Sequence, residues 1–198
     1  MIYFFYNSDT KRNEGQYSVT EISHQVNSAV RVLCLISSLN QVDFIRETWG
    51  KQCNILSLIR YEDNELAGDL SEVYRYIWTK HKDDIDWFIK TDDESYVLMR
   101  NLRWFVSALN TSTPVWFNWP STGSGKGFVF SNETFRRLVN EVDNVVGCQD
   151  VETIGECLNA LGATLIETRD HQGMERFFPF DLKQKDCCSR SLIAFYGV

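Results

Sequence analysis

The chain has 198 residues, 43% of them hydrophobic and 14% aromatic, and a formal net charge of −7. It is long enough for one domain with a substantial core and too apolar to be disordered throughout. The charge argues against a nucleic-acid backbone as the main partner, though not against a nucleotide whose phosphates are met by a bound metal.

Taken in order, residues 1–29 begin with six apolar residues and continue polar, and they read as a stem or tail ahead of a single domain over 30–198. The apolar start is too short to span a bilayer and lacks a basic leader and a cleavage site, and no run of about 18 apolar residues follows. Arg31-Val32-Leu33-Cys34-Leu35-Ile36 is a first buried strand, and Ser37 and Ser38 at its end stand where a nucleotide could approach. Residues 41–49 space Val42, Ile45 and Trp49 for one helical face, with Gly50 expected to close the helix. A strand is expected over 55–59. Leu70, Val73, Tyr74, Ile77 and Trp78 then mark an amphipathic helix. Leu102, Phe105, Val106 and Leu109 mark another helix, and residues 114–117 a strand. The Gly-rich loop at 123–127 lacks the spacing of a phosphate-cradling Walker motif. Residues 128–130 form a strand, and Ser131 is the expected N-cap of a helix carrying Phe135, Leu138, Val139 and Val142. A helix over about 150–161 ends at Gly162, and strands follow at 164–166 and 192–196. Strands alternating with helices imply an α/β sandwich with a mainly parallel sheet.

Six cysteines are an even number, and no Cys-x-x-Cys pair occurs beside the three histidines, so a zinc site has little support. The pairing cannot be chosen from sequence. Two sequons, Asn110-Thr111-Ser112 and Asn132-Glu133-Thr134, lean with the cysteines toward an oxidising lumen. A reduced protein with buried thiols is the alternative.

The run Asp86-Trp87-Phe88-Ile89-Lys90-Thr91-Asp92-Asp93-Glu94 carries the chemistry. Its apolar part suits a strand covered on both faces. It stops at three adjacent carboxylates, and ligands of open α/β sheets bind beyond the carboxyl ends of strands. Three acids repel one another unless a cation or donor-rich ligand neutralises them, and carboxylates suit the hard divalent ions that bridge phosphates. A metal–diphosphate site is therefore one reading, and a solvated acidic turn the other.

Residues 87–97 resemble the Trp-Phe-Leu-Lys-Ala-Asp-Asp-Asp-Thr-Tyr-Val run of the animal core 1 β1,3-galactosyltransferases, Fringe-like glycosyltransferases. Other matches follow in the family's order. They are Arg31-Val32-Leu33-Cys34, Glu47-Thr48-Trp49-Gly50-Lys51-Gln52-Cys53, Asn101-Leu102-Arg103-Trp104, Gly127-Phe128-Val129-Phe130-Ser131, Gly155-Glu156-Cys157-Leu158, Arg176-Phe177-Phe178-Pro179-Phe180 and Cys187-Cys188-Ser189. The resemblance implies a GT-A type nucleotide-sugar fold in the Golgi or endoplasmic reticulum lumen, with any membrane attachment through an anchor outside this chain. It implies inverting transfer of galactose from UDP-galactose to GalNAc on a glycoprotein acceptor, with Mn²⁺ as cofactor and a homodimer as a candidate assembly. It assigns nucleotide binding to Ser37, Lys90, Asp92 and Asp93, and metal binding to Asp92 and Glu94. The family's general base falls at Asp150, with Glu152 as second candidate, in Gln149-Asp150-Val151-Glu152-Thr153-Ile154-Gly155.

The chain departs from the family pattern at several positions. Glu94 stands for the family's metal-ligating Asp and moves the carboxylate by about a bond length. Tyr196 stands for its metal-ligating His, and neutral phenol is a poor ligand because its pKa lies near about 10. Phe178 replaces a further His, the aromatic acceptor segment before Cys187 is missing, and the loop around Gly123 is short. A lumenal binding or chaperone-like paralogue of impaired activity is thus the competing reading, and a truncated product without its anchor is a third.

Overall fold

The computed structural model describes residues 29–38, 41–62, 65–66, 70–118, 127–145, 148, 153–179 and 192–196. The strands are β1 (Val32–Ser38), β2 (Ile55–Glu62), β3 (Glu65–Leu66), β4 (Trp87–Asp92), β5 (Ser95–Val97), β6 (Val115–Asn118), β7 (Gly127–Ser131), β8 (Thr164–Leu165), β9 (Phe177–Pro179) and β10 (Ala194–Tyr196). The helices are α1 (Val42–Glu47), α2 (Leu70–His81), α3 (Met99–Val106), α4 (Asn132–Glu141) and α5 (Ile154–Ala160), with a 3₁₀ turn at Trp49–Gln52.

Seven strands form one sheet in the order β3-β2-β1-β4-β7-β6-β8. Strands β1, β2 and β4 are parallel; β7 opposes β4, and β6 opposes β7 and so runs with β4; β8 is parallel to β6 and β3 opposes β2. All but β3 and β7 therefore point one way, which is the mainly parallel α/β sandwich expected. Both faces are covered, which is why the central strands read as continuous apolar runs. Leu33, Leu35 and Phe88 face a core shared with Tyr74 and Ile77 of α2 and with Phe135 and Leu138 of α4. Phe88 stacks on Phe135 at 4.0 Å between ring centres. Val32, Cys34, Ile36, Trp87 and Ile89 face the other core, with Ile45, Trp49, Met99, Leu102 and Val106.

Local signals explain the helix ends. Ser131 caps α4, its Oγ accepting from Thr134 N at 3.2 Å, a contact worth about 1 kcal/mol. Gly162 has φ +71° after α5, and its N–H donates to Asn159 O while Ala163 N donates to Leu158 O, the left-handed closure that glycine permits. Gly50 does something other than expected. Helix α1 ends at Glu47, and Gly50 sits inside the 3₁₀ turn. A Cβ there would lie 2.6 Å from the Ile45 carbonyl oxygen, so close backbone approach, not a left-handed cap, requires the glycine. The α5 helix is described from Ile154, later than its expected start near 150; residues 149–152 lie outside the described residues, as do the stem, the loop at 119–126, and Cys187 and Cys188.

The other cysteines pair as Cys34–Cys53 and Cys148–Cys157. The first ties β1 to the end of the 3₁₀ turn. Two polar clamps hold the amino ends of the parallel strands. Arg31 donates through Nη2 and Nε to the Asp86 carboxylate, which also accepts from Arg31 N. Buried Arg103 donates to Val30 O, Gln52 O and Asn54 Oδ1, and Asn54 Oδ1 accepts from Val32 N as well.

Glu133 in the first turn of α4 accepts from Arg136 and Arg137. Hydrogen bonding to Arg136, with Arg137 adding to it, holds its carboxyl down at about 2, below the ordinary 4.5. Because the folded pKa is the lower one, the contribution is complete above pH 4.5 and lost as pH falls through about 2. Thermal melts from pH 7 to pH 2 should show Glu133→Gln less stable at neutral pH and converging on the parent at the acid end. Parallel curves would rule the contribution out.

Candidate active site

The carboxyl ends of β1 and β4 lie side by side, with Ser37 in register with Asp92. From β1 the chain crosses to β2 on one side, whereas β4 lies on its other side. This is a topological switch point, where open α/β sheets leave a crevice. At that point Ser37 is buried, and its hydroxyl has no hydrogen-bond partner among the described residues. An unmade bond of that kind costs about 1–3 kcal/mol.

The three acids have three different surroundings. Asp92 is half-buried, and its Oδ1 accepts from the buried Ser95 hydroxyl at 2.7 Å. Asp93 Oδ2 accepts from Gln41 N at 3.1 Å, tying the start of α1 to the turn. Glu94 is exposed. Lys90 is buried in the narrow gap beneath the sheet, among Leu35, Tyr74, Phe130 and Phe135. Burial pushes its ammonium down to about 8, and the Asp92 carboxylate pulls it back up. Lys90 therefore lies behind the crevice, with Asp92 favouring its charged form.

The C-terminal strand returns to the same turn. β10 pairs antiparallel with β5, setting Tyr196 opposite Ser95, and β9 flanks β10 in a second, three-stranded sheet. Leu98 N donates to Ile193 O, and Asn101 Nδ2 donates to Leu192 O at 2.6 Å. Ser95, Gln41 and Asn101 are the residues that sequence reasoning missed as supports of the site. Gln41 and Asn101 find their partners 52 and 91 positions away, whereas Ser95 bonds Asp92 three residues back, and the matched runs at 87–97 and 101–104 contain Ser95 and Asn101.

Among the described residues no three His, Cys, Asp or Glu side chains converge on one point. The donors at hand are carboxylates, which suit a hard divalent ion that keeps water and phosphate ligands, more than one caged by protein alone. On that chemistry Asp92 and Glu94 fit a cation held partly by its nucleotide. The base candidates Asp150 and Glu152 lie outside the described residues; the Cys148–Cys157 disulfide brackets them in sequence. Among the described residues no helix is long and apolar enough to cross a membrane.

The chain is similar to glycoprotein-N-acetylgalactosamine 3-beta-galactosyltransferase 1 of Xenopus laevis, 27% identical over 80% of this chain and 53% of that protein. It is also similar to chondroitin sulfate synthase 3 of Homo sapiens and of Mus musculus, 26% identical over 46% of this chain and 13% of each relative. The chain thus spans about half the length of the first relative and less of the others. No family model matches it. Among solved structures, a glycosyltransferase involved in the glycosylation of the major capsid of PBCV-1 aligns with a TM-score of 0.46 and 11% identity, covering 84% of this chain and 94% of that one. The resemblance read from the motifs is borne out by the galactosyltransferase relative.

If Asn101 holds the C-terminal strand at the acidic turn, Asn101→Ala should cost about 0.5–1.5 kcal/mol. Hydrogen exchange should then speed up at residues 95–97 and 194–196 while β1 and β4 stay protected. Unchanged protection at 194–196 would remove this role.

Proposed function

We propose that the chain is the nucleotide-sugar-binding part of a metal-assisted glycosyltransferase, and more finely that it moves galactose from UDP-galactose to GalNAc on Ser or Thr of a glycoprotein, with inversion. One observation carries the reading: the Ser37 hydroxyl, buried beside Asp92 at the sheet's switch point, has no partner among the described residues. A diphosphate or ribose oxygen there would meet that hydroxyl. The galactosyltransferase relative supports the choice of sugar.

Asp92 and Glu94 would hold Mn²⁺, which when bound offsets the charge developing on the UDP leaving group. Ser95 orients Asp92 through the bond to its Oδ1. Asp93 fixes α1 against the turn, closing one side of the crevice. Lys90 lies behind Asp92, whose carboxylate favours its charged form. Asp150, or Glu152 in its place, takes the proton from the acceptor hydroxyl on the face opposite the leaving group. The two disulfides favour an oxidising compartment, the Golgi or endoplasmic reticulum lumen. Attachment to a membrane would come from outside this chain, and a homodimer is a compatible assembly.

A second reading, a binding or chaperone-like paralogue of impaired activity, is favoured by Tyr196. Its backbone pairs with Ser95 where the family carries a metal-ligating His.

Calorimetric titration with UDP separates the readings. Binding should strengthen with Mn²⁺, and Asp92→Asn should weaken the metal-dependent part on the order of tenfold or more, since even supports of metal ligands cost that much. Turnover on a GalNAc-peptide then distinguishes enzyme from binding paralogue, whereas no metal-dependent UDP binding would eliminate both the enzyme and the site. Separately, Tyr196→His should raise Mn²⁺ affinity by restoring an imidazole donor. An unchanged affinity would mean that position 196 does not face the ion.

A further inference from the structure

We infer that Asn110 carries an N-linked glycan and that Asn132, in the second sequon, stays bare in the folded protein; the inference rests on the lumenal reading above. The two sequons are alike in sequence and opposite in structure.

Asn110 is exposed, in the turn between α3 and β6. Its Oδ1 accepts from Ser112 N at 2.9 Å, and its carbonyl accepts from Thr113 N at 3.0 Å. This is an Asx turn, which holds the sequon's backbone in a compact bend. Its Nδ2 makes no hydrogen bond among the described residues, and Ser112 is exposed as well. A bulky, solvated glycan at Nδ2 meets only water there.

Asn132 is built into the fold. Its Nδ2 donates to Lys82 O at 2.9 Å and to Ile85 O at 2.7 Å, so both N–H groups hold the turn that leads into β4. Thr134 is fully buried, and its Oγ1 donates to Val115 O. The residues that make a sequon here are the start of α4 and its link to β6. A glycan on Nδ2 would remove one N–H and set a sugar against residues 82–85.

The modification joins Nδ2 to the anomeric carbon of a lipid-diphosphate-linked oligosaccharide. The C–O bond to the diphosphate breaks, the lipid diphosphate departs with the electron pair, and the amide loses one proton. Transfer precedes folding, so the fold decides which glycan a native molecule can carry.

Protein isolated from the cells that make it should be alkylated without reduction, digested, and treated with peptide N-glycosidase in heavy-oxygen water. The expected result is Asp carrying the heavy label at position 110, unmodified Asn at 132, and both disulfides intact. In secreted recombinant protein, Asn110→Gln and Ser112→Ala should each abolish the glycosidase-dependent mobility shift without loss of secretion. A bare Asn110 in disulfide-bonded protein, or a glycan at Asn132 in folded protein, overturns the assignment while leaving the lumenal reading intact. Alkylated Cys34, Cys53, Cys148 and Cys157 with a bare Asn110 overturn both.

Discussion

A buried lysine and a half-buried aspartate lie two residues apart on β4. Lys90 lies in an apolar gap, and desolvation opposes its charge. The carboxylate that favours its charge belongs to Asp92, on the same strand and two residues nearer the surface. A buried ammonium would otherwise discharge. At the surface three adjacent carboxylates repel one another, and the fold meets two of them with its own donors, Asp92 with the Ser95 hydroxyl and Asp93 with Gln41 N.

The parallel strands divide their labour between their two ends. At the amino ends the polar groups are satisfied: Arg31 and Asp86 close β4 onto β1, and Arg103 and Asn54 close β1 onto β2 and the 3₁₀ turn. The Cys34–Cys53 disulfide adds a covalent tie on the same side of the core. At the carboxyl ends β1 carries a serine hydroxyl with no partner among the described residues, and β4 ends in a carboxylate turn. A frame fixed at one end and polar at the other is what an open α/β sheet offers a ligand.

The large elements were legible because each exceeds its own period. The twelve residues of α2 repeat their apolar face three times, and the apolar part of β4 shows burial on both faces. The alternation of strand and helix then gives the sandwich. The small sheet was not legible as a sheet. Strands of three residues such as β5 and β9 carry too little pattern to detect, and β10, which joins them, pairs with β5 across nearly a hundred positions. The disulfides could not be chosen from six cysteines without coordinates. Gly50 was found for the wrong reason, since a glycine needed for close approach looks in sequence like one needed for a cap. Of the acidic residues, the triplet was legible as the end of a buried strand, but its internal division was not.

That division has a physical origin. Asp92 ends β4 while Asp93 and Glu94 form the turn that follows, so the three acids stand in different surroundings. Here the middle acid takes the backbone N–H of Gln41 and closes α1 over the turn, while Asp92 is set by Ser95 and Glu94 reaches solvent. The bond from Gln41 N gives the middle carboxylate a donor within the fold itself. Replacing the family's third Asp by Glu falls on the exposed member, where a longer side chain has room to bring its oxygens back. At position 196 the backbone is held opposite Ser95, and a neutral phenol is a poorer metal ligand than the imidazole of the family pattern.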